Sequence, residues 1–224
     1  MPLSRILPLI FGLVAGLTPW ISCKAFIIVT QNMAEMSDAE PDRIYSLLKN
    51  ISKQVPDIVF LQEAEQATLK AISKAFDLSK YKTLYKDLGG KPAGSLVIIA
   101  KRSLSPAKTE YLKLSSQMDR GLLLTTVQLC GDEHRLIDLH LESAYLFFWK
   151  SNALRKRQIQ ELNKIQTESK NSIAAGDFNL VFDSASEKEI PASWTDAWTL
   201  LHPNDPGFTW DPETNELAMK EGLY

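Results

Sequence analysis

The sequence predicts an α/β domain, and three observations carry that prediction. Short β-branched runs alternate with amphipathic helical stretches in the first third of the chain. Five closely spaced strand-like runs fill the middle. A long helix then precedes a last apolar run at Ile173. The 224 residues suit one large α/β domain or two small ones, and no shift in composition marks a second. Internal repeats and low-complexity tracts are absent.

Met1 to Ala25 reads as an export signal. Arg5 supplies a positive start, and Ile6 to Leu17 is an apolar stretch too short, and too broken by Pro8, Gly12 and Gly16, for a stable membrane span. Ala25 offers a small-residue cleavage point, so the expected mature domain is 26–224 and its location secreted or periplasmic. The alternative is a buried strand and loop of the fold itself. Cys23 also has the option of lipid modification, although Trp20 is awkward three positions before it. Cleavage after Ala25 would leave Cys130 alone, as a filler at a strand end, with no disulfide framework.

Phe26 to Thr30 is read as a buried strand leaving through Gln31-Asn32. After Pro41, Ile44, Leu47, Leu48, Ile51 and Val55 follow helical spacing, and Pro56-Asp57 ends that helix. Ile58 to Leu61 is a second buried strand, leaving through Gln62-Glu63, and Glu65 to Phe76 a second helix. The runs 81–85, 95–101, 108–114, 121–129 and 135–142 follow without helices between them. Turn signals at Gly89-Gly90, Ser105-Pro106 and Gly131-Asp132 separate them, which implies antiparallel hairpins. Residues 151–168 form the long helix, with Lys150, Arg155, Lys156 and Arg157 crowding its start. That run is either a solvated face or an attractor of phosphate. The buried strand at Ile173 and a short helix within 193–201 complete the order.

The formal charge of −2 is near neutral, and removal of residues 1–25 takes Arg5 and Lys24 with it, deepening the acidic excess. Non-specific nucleic-acid binders carry a basic excess, so contact with a nucleic acid here must rest on a local patch or a bound cation.

Polar residues that apolar packing does not explain gather at strand exits. Asn32 and Glu63 follow the first two strands. In Leu136-Ile-Asp-Leu-His-Leu-Glu142, alternation puts Asp138, His140 and Glu142 on one face. In Ile173-Ala-Ala-Gly-Asp-Phe-Asn-Leu180, Asp177 and Asn179 stand two apart, so along an extended segment they project to one side and aim at one point. Each has a plain alternative. Asn32, Asp177 and Asn179 suit turns, Glu63 suits a helix start, and His140 suits a satisfied structural histidine.

Their joint order is more specific. Thr30-Gln-Asn32, Leu61-Gln-Glu63, His140-Leu-Glu-Ser143, Gly176-Asp-Phe-Asn179 and Thr209-Trp-Asp211 together resemble the endonuclease/exonuclease/phosphatase superfamily. The His-Leu-Glu-Ser and Thr-Trp-Asp pair is most similar to its 5′-tyrosyl-DNA phosphodiesterase branch. The resemblance implies a four-layer α/β/β/α sandwich of two packed mixed sheets with a site at one end. It implies that Glu63, with Asn32 beside it, binds Mg²⁺ (Mn²⁺ as the alternative). Asp177 would orient or deprotonate the attacking water, and Asn179 and His140 would donate to phosphoryl oxygens. The implied reaction is hydrolysis of a phosphoester, with nucleic acid or a nucleic-acid adduct favoured as partner. A sphingomyelinase or inositol-phosphate hydrolase, and an inactive remnant acting as a binding protein, are the alternatives. Oligomeric state is not legible.

The superfamily's Asp-Arg strand and Ser-Asp-His element are missing after Asp211, and the sequence stops thirteen residues later at Tyr224. Asp42-Arg-Ile44 has matching letters on the first helix, the wrong place. The domain is therefore expected to be C-terminally incomplete. Sequencing beyond Tyr224 checks this: a longer frame should supply both elements, and an immediate natural stop codon would count against it.

Overall fold

The computed structural model describes residues 9–10, 25–33, 41–88, 91–143, 148–166, 171–180, 190–205 and 207–209. Residues 1–8 and 11–24 of the expected export signal, the Gly89-Gly90 turn and Trp210-Asp211 lie outside the described residues.

The elements in chain order are β1 (Leu9–Ile10), β2 (Ile27–Asn32), α1 (Pro41–Lys53), β3 (Ile58–Gln62), α2 (Gln66–Ala75), β4 (Tyr81–Leu84), β5 (Asp87–Leu88) and β6 (Lys91–Pro92). They continue as β7 (Val97–Lys101), β8 (Glu110–Lys113), β9 (Gly121–Leu129), β10 (Asp132–His140), α3 (Phe148–Gln166), β11 (Ser172–Asp177) and α4 (Ala197–Leu201). One sheet has the order β1-β2-β3-β7-β4 and the other β11-β10-β9-β8, while β5 and β6 form a separate hairpin. Both sheets are mixed, since β2 runs parallel to β3 and β10 parallel to β11 among antiparallel neighbours.

Three apolar layers hold four structural layers together. Ile44, Leu48 and Ile51 of α1, with Ala71 and Ile72 of α2, cover Val59, Leu61 and Ile99 on the outer face of the first sheet. Ile58, Phe60 and Ile98 meet Leu123, Val127 and Leu136 between the sheets. Ile159 and Leu162 of α3 cover Leu122, Ile137 and Leu139 on the outer face of the second. Period-two alternation sets this sorting, because β3 is apolar on both faces and so can be buried on both. The α/β/β/α sandwich expected of the sequence is the observed architecture.

Local differences have local causes. Pro41 opens α1, where its missing N–H costs nothing. Val55 was assigned to the helix face, but it lies past the helix end with φ +51° and is 58% exposed, because Pro56 stops the helix before it. The Ile173 run is half-buried and not fully buried, since β11 stands at the end of its sheet's order. The β9–β10 turn sits one residue earlier than expected. Leu129 pairs with Asp132, so Cys130 and Gly131 are its centre, and both have positive φ as a tight two-residue hairpin turn requires. Cys130 is disulfide-bonded, which corrects the expectation of a lone filler cysteine.

One polar bridge crosses the inter-sheet core. Gln62 Nε2 at the end of β3 donates to Asp138 Oδ1 of β10 at 2.7 Å, and Gln62 also meets the Thr30 hydroxyl. Burial pushes the Asp138 carboxyl well above its usual range, against the opposing hydrogen bond from Gln62. A carboxyl raised in this way takes up a proton on folding. Its contribution to stability is complete below its ordinary value of 3.8 and is lost as pH rises through the folded-state pKa. In denaturant titrations between about pH 4 and pH 8, the stability of Asp138→Asn relative to the parent should therefore increase with pH. Parallel curves for the two proteins would show that Asp138 is not protonated in the fold.

Candidate active site

The same alternation that sorts the core delivers the polar residues to one place. On β2 and β3, Ile28, Ile58 and Phe60 face the second sheet, and Asn32 continues that face of β2. On β10, Leu136 faces the first sheet, so Asp138 and His140 follow, and on β11 Ile173 and Ala175 put Asp177 on the same side. The register aligns the endpoints. Asn32 is level with Gln62, and His140 with Asp177. Four strands thus end together at one rim of the inter-sheet core.

Asn32 Nδ2 donates to Glu63 Oε1 at 3.0 Å and to Asp177 Oδ2 at 2.9 Å. His140 Nε2 lies 3.7 Å from that same Glu63 oxygen and 3.6 Å from that same Asp177 oxygen. Two carboxylates from different sheets are therefore held face to face by an amide and an imidazole. The carboxylates keep access to solvent, with side chains 17% and 29% exposed, whereas the His140 side chain is 2% exposed. Asn32, Glu63, His140 and Asp177, expected from the sequence, come together.

Asn179 does not aim with Asp177. It takes φ +49°, so the extended alternation ends at Asp177. Its backbone N–H donates to Asp177 Oδ1 at 2.9 Å, and its Nδ2 donates to the Leu141 carbonyl at 3.0 Å. This is an Asx-type turn that holds the carboxylate and ties its loop to the exit of β10.

Two backbone constraints shape the rim. Glu63 sits at φ +54°, a left-handed conformation that costs a non-glycine residue on the order of 1 kcal/mol and turns its carboxylate out of the strand line. Gly176 has φ +139°, and a Cβ there would overlap the Leu139 carbonyl oxygen of the adjacent strand. Glycine lets β11 approach β10 closely one residue before Asp177.

Two carboxylates share this rim with a buried imidazole. Burial lowers the His140 imidazole to about 4, with Asp177 opposing the shift and Arg120 adding to it. At neutral pH the ring is uncharged, so neither Asn32 nor His140 neutralises Glu63 or Asp177. Among the described residues no three or more His, Cys, Asp or Glu side chains gather as a closed metal cage. The oxygen donors present, Glu63 with the Asn32 amide beside it and Asp177 opposite, fit a hard divalent ion that completes its shell with water and phosphate.

Behind this rim, sequence reasoning missed Arg120 and did not find the partners of Glu142 and Arg155. Arg120, in the loop between β8 and β9, places Nη1 2.8 Å from His140 Nδ1. Glu142 is buried and accepts from the Ser116 hydroxyl at 2.5 Å and the Gln117 N–H at 3.1 Å of the same loop. Arg155 is also fully buried, donating to the Glu142 carbonyl at 2.8 Å and bonding Asn152. It is therefore neither a solvated cation nor free to attract phosphate, while Arg157 faces solvent and pairs with Glu161. Helical spacing carried the one available signal: Arg155, Gln158 and Leu162 share a face, and that face is buried.

Residues 32–215 match the Endonuclease/Exonuclease/phosphatase family. The chain is 28% identical over 208 residues to tyrosyl-DNA phosphodiesterase 2 of Rattus norvegicus, covering 89% of this chain and 54% of that protein. It is 29% identical to the same enzyme of Gallus gallus, over 85% of this chain and 52% of the other. It thus spans about half the length of these relatives. A crystal structure of D. rerio TDP2 complexed with a single strand DNA product superposes with a TM-score of 0.69 at 26% identity, covering 84% of this chain and 75% of that one. Sphingomyelinase C from Streptomyces griseocarneus shares the fold, with a TM-score of 0.58 at 17% identity over 73% of this chain and 67% of that one.

The close approach at Gly176 gives a direct test of how the rim is built. Gly176→Ala should lose about 3 kcal/mol in urea denaturation, from overlap with the Leu139 carbonyl and the unfavourable φ. A variant as stable as the parent would show that β11 does not approach β10 in this way.

Proposed function

The chain belongs to the Endonuclease/Exonuclease/phosphatase family, and on that premise we propose that it is a divalent-metal-dependent phosphodiesterase acting on nucleic acid or a nucleic-acid adduct. The observation that carries this reading is the Asn32 amide joining Glu63 to Asp177, with His140 Nε2 close to both, at the open rim of the sandwich. A 5′-tyrosyl DNA end is the favoured substrate. Its support is the similarity to tyrosyl-DNA phosphodiesterase 2 and to a D. rerio structure holding a DNA product.

In this mechanism water attacks phosphorus in line with the departing ester oxygen. Asp177, held by the Asn179 N–H, orients the water and takes its proton as the new P–O bond forms and the ester P–O bond breaks. The neutral His140 donates from Nε2 to a phosphoryl oxygen as negative charge accumulates. Glu63, with the Asn32 amide beside it, would hold the Mg²⁺ or Mn²⁺ ion. When bound, the ion offsets the charge of phosphate and carboxylates. Asn32 fixes the spacing of the two carboxylates, and the buried side of His140 excludes water from behind the ring.

Export is proposed as well. The disulfide at Cys130 supports it, since such bonds persist in oxidising compartments. That bond also constrains processing. Cleavage after Ala25 removes Cys23, the other cysteine of the sequence, so a mature chain keeping both would be cut ahead of Cys23. The N-terminus and non-reduced mass of the mature protein decide between the two cleavage points.

Hydrolysis of a 5′-tyrosyl oligonucleotide, single-stranded DNA, sphingomyelin and an inositol phosphate tests the activity, with and without Mg²⁺. Chelation should abolish turnover of the tyrosyl oligonucleotide and Mg²⁺ should restore it. Glu63→Gln and Asp177→Asn should each lower kcat/KM by about 100-fold or more with the fold intact. Variants that match the parent would overturn the site, and preferred cleavage of sphingomyelin or inositol phosphate would overturn the substrate.

A further inference from the structure

Beneath the site, a chain of hydrogen bonds runs from a buried carboxylate to the far side of the His140 ring. The loop from Ser115 to Arg120 is closed at its base by the Leu114 N–H to the Arg120 carbonyl, at 3.1 Å. Inside it, the Ser116 hydroxyl accepts from the Met118 and Arg120 backbone N–H groups at 2.9 and 3.0 Å, and donates its own proton to Glu142 Oε2. Glu142 Oε1 takes the Gln117 N–H, so both oxygens of one buried carboxylate are used to fold this loop. The helix α3 secures the same parts. Gln158 bridges the Glu142 N–H and the Ser115 carbonyl, Glu161 binds Ser115, and Arg155 holds the Glu142 carbonyl. The product of this arrangement is one contact, Arg120 Nη1 on His140 Nδ1 at 2.8 Å.

That contact has a single chemical reading. A guanidinium donates and has no lone pair to accept with, so Nδ1 must be the acceptor. In a neutral ring the proton then resides on Nε2, the nitrogen between Glu63 and Asp177. We propose that Arg120 is a positioning residue that fixes His140 as its Nε2–H tautomer, and that Glu142 sets Arg120 in place through Ser116. The ring is thereby committed to donate into the site, where a free imidazole would divide between two tautomers. The catalytic consequence rests on the phosphodiesterase reading above, but the tautomer does not.

The test separates the two. Full-length protein labelled with ¹⁵N-histidine has three imidazoles, and His140→Asn assigns the relevant one by its loss. At neutral pH the parent should show an acceptor-type Nδ1 and a protonated Nε2 at the ring so assigned. A protonated Nδ1 in the parent overturns the proposal. Arg120→Met should add the Nδ1–H form, and Arg120→Lys, which keeps a donor, should restore the parent pattern. Ser116→Ala, a smaller change, should shift the ring in the same direction as Arg120→Met. An unchanged tautomer in Arg120→Met, or in Ser116→Ala if the former does not fold, also overturns it. Where the parent hydrolyses a 5′-tyrosyl oligonucleotide, Arg120→Met should lower kcat about tenfold or more with KM within about twofold, as expected when a catalytic ring is misdirected. A parent with the Nε2–H tautomer that cleaves none of the four substrates would overturn the proposed function and leave the tautomer assignment supported.

Discussion

One amide nitrogen joins the two halves of this molecule at its working end. Asn32 belongs to the first sheet and Asp177 to the second, 145 residues later, and their 2.9 Å hydrogen bond forms only when the sheets pack face to face at the observed height. The apolar layer between Ile58, Phe60, Leu123 and Leu136 supplies that packing, and the Gln62–Asp138 bridge fixes its vertical alignment. Assembly of the carboxylates is thus a by-product of core formation. Polar groups at the rim are expensive to bury unless each finds a partner, so a mis-set sheet would leave several of them unpaired at once.

Most of the architecture was legible because it depends on local pattern. Short apolar and β-branched runs identified β2, β3, β9 and β11, alternation identified the polar face of β10, and helical spacing of apolar residues identified α1, α2 and α3. The four layers came from the ordered motifs and not from periodicity. Boundaries moved where backbone chemistry overruled hydrophobicity. Val55 matched the helical spacing but sits beyond a proline-stopped helix, and the β9–β10 turn centres on Cys130-Gly131 because both residues must accept positive φ.

The site was legible in its strand-end residues and illegible behind them. Asn32, Glu63, His140 and Asp177 share one property, a polar side chain just where an apolar run ends, and that property is visible in the letters. Asn179 followed the same rule and failed it, because the strand ends at Asp177 and Asn179 itself takes a left-handed conformation, which removes the alternation on which the rule rests. Arg120, Ser116 and Arg155 gave no such signal. Their partners are fixed by how a loop and a helix close over the second sheet, and a cation buried against a carbonyl looks in sequence like any surface arginine.

The two-residue turn at Cys130-Gly131 has a bearing on which changes this fold tolerates over time. It sits at the opposite end of β10 from His140, yet it sets the pairing of every residue between them, Asp132 with Leu129 through His140 with Gly121. A strand's side chains swap faces with a shift of one position. A residue inserted into β10 with the two-residue turn retained would move each following side chain by one position, sending His140 and Asp138 toward α3 and bringing Leu139 to the rim. Evolutionary drift in this region is therefore free to exchange side chains far more readily than to alter length. The spacing between Cys130 and His140 acts as a ruler for the site.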